Sequence, residues 1–414
     1  MNASEGTPAP QDPAKCPYPF PTPVSVPVDG TPLTPSPSFA AYREAAPAVP
    51  LRYADGHEGL LTTNWEFARS ILEDPRFSLK NWRFPLDRQA GAAHSQVEDD
   101  PIDAEAEEAL EVANLLKMDA PEHGRLRKAI TGRLSVRSSR SYQEQVHENV
   151  RRQVEHLLAV GSPANLTVEF AEPVSAYDHC LVLGVADEFV PEFFEIFLTS
   201  SPRQRKHDYV RKVVAAKRSD LGEDITSDLI RSDLTPAEIE GVLVLVMAAG
   251  RDTVAYMIAT ATNMLLKNPE QLQLLRANPQ LIETGIEEIL RYGAMFVTLF
   301  PRTATEDVDI HGIRIAKGTT VSASPVAGNR DPQHWEHPDT LDLTRDAFGH
   351  LSFGHGQHGC VGQQYARMQL KEAITQLIAA MPDLSLVEAE QDEPIRPFPS
   401  ELPTYHAGDV IIAW

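Results

Sequence analysis

Apolar residues recur at helical spacing along most of this chain, and at strand spacing in only a few short pieces. The helical period predicts helices over 146–158, 190–199 and 206–218, from about 279 through Ile282, Ile286, Ile289 and Leu290, and from 361 onward. In the last of these Ala366, Leu370, Ala373 and Leu377 form one stripe. Thr235-Pro-Ala-Glu238 reads as a capping box with proline at the first helical position. It opens the longest pattern, which runs to about Leu266 before Pro269 ends it. Within that pattern 242–249 is almost wholly apolar, which predicts burial on all sides. A hairpin is predicted from Leu51 around Asp55-Gly56 to Gly59 and beyond, and a second strand pair at 308–310 and 313–315 around Gly312. Thr63, with Glu66 three residues on, predicts a helix cap. The expected class is mainly α with a minor β region.

Four segments carry chemistry. In Phe353-Gly-His-Gly-Gln-His-Gly-Cys-Val-Gly362 the glycines let backbone pass close to a flat ligand, and Cys360 falls where a loop enters a helix. Unpaired N–H groups there favour a negative sulfur, which suits a thiolate ligand for iron. Two other readings exist for this loop: a free cysteine that fills space, and a zinc site built from His355, His358 and Cys360. Structural zinc, however, takes four ligands in paired motifs, and Cys16 and Cys180 stand alone. The second segment, Ala249-Gly-Arg-Asp-Thr253, places two charges in the apolar centre of the longest predicted helix. Gly250 costs about 1 kcal/mol relative to alanine there, so it needs a reason. That reason is close approach of a cofactor, an opened turn, or simple packing beside an ion-paired Asp252. A carboxylate and a hydroxyl on adjacent positions can hold a water relay that protonates bound O2.

In the third segment, Glu288-Ile-Leu-Arg291, acid and guanidinium share one helical face. The fourth, Asp119-Ala-Pro-Glu-His-Gly-Arg-Leu-Arg127, turns from a loop proline into a basic helix.

Taken in this order the segments resemble the cytochrome P450 family of haem-thiolate monooxygenases, over about residues 37 to 414. The resemblance implies the P450 fold and a haem b, iron protoporphyrin IX, with Cys360 as the metal ligand. Ala249, Gly250, Phe353 and Gly362 would lie against the ring, and His123, Arg127, Arg302 and His358 would clamp its propionates. Asp252 and Thr253 take the catalytic proton-delivery roles. Glu288 and Arg291 would join a structural network with a later arginine, Arg330 being the choice and Arg345 the alternative, near Asn329-Arg-Asp-Pro332. Phe296, Val297, Thr298 and Thr404, with the loop over 79–119, would line a substrate cavity. Departures from the pattern are Gly359, Met295 and Arg251, a cation that could pair with Asp252 and slow proton supply.

Length and charge then narrow the partners. The 414 residues are 42% hydrophobic and carry a formal net charge of -22, which argues against nucleic acid. Prolines 8 to 23 mark residues 1–36 as an extended, partly disordered arm. That arm has no apolar run of signal-peptide or anchor length, so a cytoplasmic, non-membrane protein is expected, and three unpaired cysteines suit a reducing compartment. Arg125, Arg127, Lys128, Arg133, Arg137, Arg367 and Lys371 cluster around the cysteine and propionate motifs, where an acidic ferredoxin could dock. No flavin or nicotinamide segment is evident, so ferredoxin and ferredoxin reductase are expected as separate chains. The expectation is a monomer with one catalytic domain, 37–414, that uses O2 to hydroxylate a hydrophobic small molecule of secondary metabolism. Oxidative coupling without oxygen insertion and non-catalytic haem binding are the alternatives.

Overall fold

The structure, a computed structural model, describes residues 22–53, 55–80, 100–199, 201–392 and 403–414. The first part of the proline-rich arm, most of the 79–119 loop's first half, Cys16 and Leu402 lie outside the described residues. In chain order the helices are α1 (Ser38–Ala45), α2 (Trp65–Glu73), α3 (Ala104–Val112), α4 (Glu122–Thr131), α5 (Val136–Ser141), α6 (Gln143–Val160), α7 (Glu172–Leu183) and α8 (Val190–Phe197). They continue with α9 (Arg203–Lys217), α10 (Ile225–Arg231), α11 (Pro236–Ala249), α12 (Asp252–Lys267), α13 (Pro269–Ala277), α14 (Ile282–Tyr292), α15 (Pro325–Gly328) and α16 (Gln363–Ala380). Helix makes up 54% of the structure, so the mainly α reading holds.

The strands are β1 (Ala48–Arg52), β2 (Glu58–Thr62), β3 (Phe77–Ser78), β4 (Ala164–Asn165), β5 (Arg302–Ala304), β6 (Val308–Ile310), β7 (Ile313–Ile315), β8 (Thr320–Ser322), β9 (Ser385–Ala389) and β10 (Val410–Ala413). They form sheets of order β1-β2-β8-β5-β3, β4-β10-β9 and β6-β7. The predicted hairpin is β1–β2, closing on Arg52 opposite Glu58. The described end of the arm is pinned beside it, since Val24 exchanges backbone hydrogen bonds with Pro50 and Arg52.

One core joins α6, α7, α12, α14 and α16 through Val150, Val174, Ile258, Ile286, Ile289, Ile374 and Leu377. Burial of such side chains contributes about 1.5–3 kcal/mol each and fixes how these helices meet.

Two local expectations are corrected. The cap of α2 is Asn64, whose side chain accepts from the Phe67 N–H at 3.0 Å, while the Thr63 hydroxyl donates to the Ala46 carbonyl. The long pattern after Thr235 is two helices, not one. Its capping box is present, with Glu238 accepting from the Thr235 N–H at 2.9 Å. However, α11 ends at Ala249 and α12 begins at Asp252. Burial also splits there. Every residue from Val254 to Leu265 is buried, whereas Val244, Leu245, Val246 and Ala248 are half-buried and Ala249 is exposed. The stretch 242–249 is therefore not buried on all sides; its far end is an apolar wall.

Candidate functional site

Gly250 occupies the break because α7 leaves no room for a side chain. A Cβ at 250 would lie 2.2 Å from the His179 ring. His179 Nε2 is 3.0 Å from the Val246 carbonyl oxygen and the Ser175 hydroxyl donates to the Arg251 carbonyl, so α7 satisfies carbonyls where the helix is interrupted. Burial pushes His179 down to about 4, which keeps it a neutral donor. Neither Ser175 nor His179 stands out in the sequence, where a serine and a histidine one turn apart read as an ordinary polar face. Thr253 donates to the Ala249 carbonyl at 3.2 Å and Asp252 is exposed. Arg251 forms no ion pair with Asp252 among the described residues. It lies within electrostatic range of Glu172, Lys206 and His179 instead.

Cys360 precedes α16 by three residues, held by its N–H donating to the Phe353 carbonyl at 2.7 Å. Its side chain is ringed by protein yet accessible, so it faces an internal recess. Burial pushes the thiol up; the Gly362 and Gln363 N–H groups, Arg127 and Arg367 oppose that by favouring the anion. His355 turns away toward α2, 3.4 Å from Glu73 and accepting from Arg69. No group of three metal-ligating side chains converges among the described residues, which removes the zinc reading.

Four basic side chains meet on one side of this loop. The His123 and His358 rings lie 4.0 Å apart. Arg127 donates to the Gly359 carbonyl at 2.5 Å, and Arg302 donates one N–H to the Leu72 carbonyl at 3.1 Å. Burial, then His123, Arg302 and Arg127, drive His358 down to about 3. Burial and Arg127 bring His123 to about 4, and burial brings the Arg302 guanidinium to about 10. The buried Arg302 Nε has no hydrogen-bond partner among the described residues. Two guanidiniums beside two neutral imidazole donors, one guanidinium with an orphaned buried N–H, call for an anion. Beside an accessible sulfur and glycine backbone, that donor set fits a flat group bearing carboxylates, as a haem does.

Behind the loop, Glu288 and Arg291 are both fully buried and joined at 2.6 Å. The guanidinium that reaches this pair is Arg345, 3.2 Å from Glu288. Arg330, the arginine expected there, instead pairs with Asp339 at 3.1 Å, donates to the Tyr292 carbonyl and stacks 3.6 Å over the Tyr292 ring. Asn329 does the linking. It donates to the Arg291 carbonyl and to Ser352, and accepts from the Leu351 N–H at 2.7 Å.

Near the distal wall, Phe296 pairs with Thr404 across two antiparallel segments, fixed by hydrogen bonds from Val297 to Pro403 and from Tyr405 to Met295. Phe296 and Thr404 keep some accessible surface. Val297 and Thr298 are buried at 0% and 1%, so they pack behind the cavity rather than line it. The basic ring is thinner than the sequence suggests: Arg125 pairs with Glu238, Arg133 with Asp228, Arg367 with Glu287 and Lys371 with Glu283. Lys128 and Arg137 remain exposed.

An accessible cysteine in a glycine loop, flanked by two arginines and two histidines, offers the donor set of a haem-thiolate protein. The cytochrome P450 family model matches residues 133–399. Cytochrome P450 105C1 of Streptomyces sp is 32% identical over 92% of this chain and 95% of its own length, and nocardicin C N-oxygenase of Nocardia uniformis is 32% identical over 92% and 94%. The crystal structure of ligand-free CYP105P1 superposes with a TM-score of 0.82 at 28% identity, covering 95% of this chain and all of that one. This chain belongs to the cytochrome P450 family; it is a monooxygenase with a haem-thiolate cofactor and the P450 fold.

Proposed function

We propose that residues 37–414 form one catalytic domain that hydroxylates a hydrophobic small molecule of secondary metabolism, using O2 and electrons from a ferredoxin kept reduced by a ferredoxin reductase. The observation that carries this reading is the convergence of His123, Arg127, Arg302 and His358 beside the Cys360 loop. Cys360 would ligate the iron of haem b, the four basic groups would bind its propionates, and Ala249, Gly250, Phe353 and Gly362 would lie against the ring. Bound there, the haem supplies the iron at which O2 is bound and reduced.

This chain's residues do the rest. The Thr253 hydroxyl can release the Ala249 carbonyl and hold a water, while the exposed Asp252, within range of Lys206 and His406, passes protons from solvent. The half-buried apolar face of α11, with Phe296, takes the apolar body of the substrate. Glu288, Arg291 and Arg345 hold the cysteine loop from behind. Docking of the ferredoxin is supported by Lys128, Arg137 and the exposed Phe348 beside Arg367. Among relatives, the printed names nocardicin C N-oxygenase and vitamin D(3) 25-hydroxylase agree with oxygen insertion.

The test is the spectrum of the reduced, carbon monoxide-treated protein, followed by the mass of the product formed with ferredoxin and reductase. The expected result is the far-red Soret band of thiolate ligation, its loss in Cys360→Ser, and a product heavier by one oxygen. A product lighter by hydrogens would replace hydroxylation with oxidative coupling.

A further inference from the structure

Arg251 stands in the break between α11 and α12, and its guanidinium makes no hydrogen bond or ion pair among the described residues; its Nε is buried without a partner. Lys206, on α9, is half-buried and likewise makes no contact ion pair among the described residues. Its neighbours show that this is not how α9 treats its cations. Arg205 pairs with Glu195, His207 with Glu240, Arg211 with Asp103 and Glu240, Lys212 with Glu192 and Lys217 with Asp224.

The two unpaired cations lie close enough to act on each other. After burial, Arg251 is the largest influence that lowers the Lys206 ammonium, and Asp252 opposes it only in part. Glu172 is within electrostatic range of Arg251 but makes no contact ion pair with it among the described residues. Two like charges held half-buried and near one another are costly, and no ion pair to either among the described residues offsets that cost. The place is specific: it is one step along the chain from Gly250 and two from the exposed Ala249, at the end of the apolar wall formed by Val244, Leu245, Val246 and Ala248.

We infer that Arg251 and Lys206 form a subsite for a carboxylate of the substrate, whose apolar body lies along α11. The inference rests on the monooxygenase reading above and sharpens it: the substrate is an amphipathic acid, not a neutral hydrocarbon. A carboxylate bridging two otherwise unpaired cations makes charge-assisted hydrogen bonds that its ester cannot match. Asp252 stays free for proton delivery, because the acid rather than Asp252 neutralises the cations.

The experiment is calorimetric titration of the ferric holoenzyme with two matched pairs, dodecanoic acid with methyl dodecanoate and naphthaleneacetic acid with its methyl ester. The expected result is at least about tenfold tighter binding of the acid in one pair or both. In the double variant Arg251→Gln with Lys206→Gln, acid and ester should bind alike while ester affinity is kept. Equal binding of acid and ester by the wild type, failure of both acids to bind, or a preference that survives the double substitution overturns the subsite. The reduced carbon monoxide spectrum is read on every sample. Absence of the thiolate band in the wild type condemns the monooxygenase reading itself, whereas a normal band without acid preference condemns only the subsite. If the double variant loses the band, Lys206→Met alone decides, with a partial loss of preference expected and an undiminished one overturning the inference.

Discussion

The two sides of the cysteine loop are built on opposite rules. Behind the loop, polar groups are buried deep and nearly all matched: Arg291 is fully buried yet bonds Glu288, the Asn329 carbonyl and the Pro338 carbonyl at 2.6 to 2.9 Å. Across α11 and α12 the rule reverses, with an interrupted helix, an accessible apolar face and, with Lys206 of α9, two cations that make no ion pair among the described residues. A matched buried network resists movement, because losing any one member leaves an uncompensated charge. An unmatched surface leaves binding energy available for a ligand. The contrast teaches that this protein keeps its sulfur rigid and reserves its unsatisfied groups for what it binds.

Substitutions on each side can break that contrast or sharpen it. Arg291→Ala should have the largest effect, lowering unfolding free energy by about 3–5 kcal/mol in denaturant titration; a loss near zero would mean the frame is not what holds the loop.

Asp178 on α7 comes next. It is fully buried, accepting from Asn149 at 2.8 Å and Gln369 of α16 at 3.4 Å, and burial raises its carboxyl to about 8. A folded-state value above the unfolded one means the folded protein binds the proton more tightly. Its contribution is full below about 4 and is lost as pH rises to about 8. Asp178→Asn should remove roughly 2–4 kcal/mol of that decline, seen as a flatter dependence of the thermal midpoint on pH.

On the distal side, Gly250→Ala should cost about 1–3 kcal/mol by driving a methyl into the His179 ring. Gly250→Ala with His179→Ala should recover part of it. Thr253→Ala should leave stability within about 0.5 kcal/mol yet cut product formed per electron pair at least about tenfold, measured as product against reductant consumed.

Much of the architecture was readable because helix periodicity survives without tertiary context. The α6, α8 and α9 ranges, β6 with β7, and the Thr235 capping box follow from local pattern alone. What escaped depends on contacts between distant segments. The break at Gly250 lies against His179, over seventy residues upstream, so the sequence offered an opened turn there only as one of several reasons for the glycine. Arg345 and Arg330 are equally arginine in one irregular stretch, and only the folded path of that stretch decides which reaches Glu288. Asn64 and Thr63 are both good caps, and a one-residue shift is below what composition resolves. In the candidate site the residue types of the clamp were legible as motifs, but Val297 and Thr298 were not separable from Phe296, since facing inward or outward depends on the pairing with residues 403–405. Nothing in the sequence sets Lys206 apart from the other charges of α9.

Asn329 bonds both the last turn of α14 and the chain just before the cysteine loop, yet never touches the sulfur. Its primary amide donates twice and accepts once in three directions. An aspartate in its place could donate to neither partner, and a glutamine would present the same atoms a methylene too far out. One short side chain therefore ties the end of α14 to the segment that leads into the Cys360 loop. Stiffness in this part of the molecule thus passes through an amide thirty-one positions upstream of the thiol.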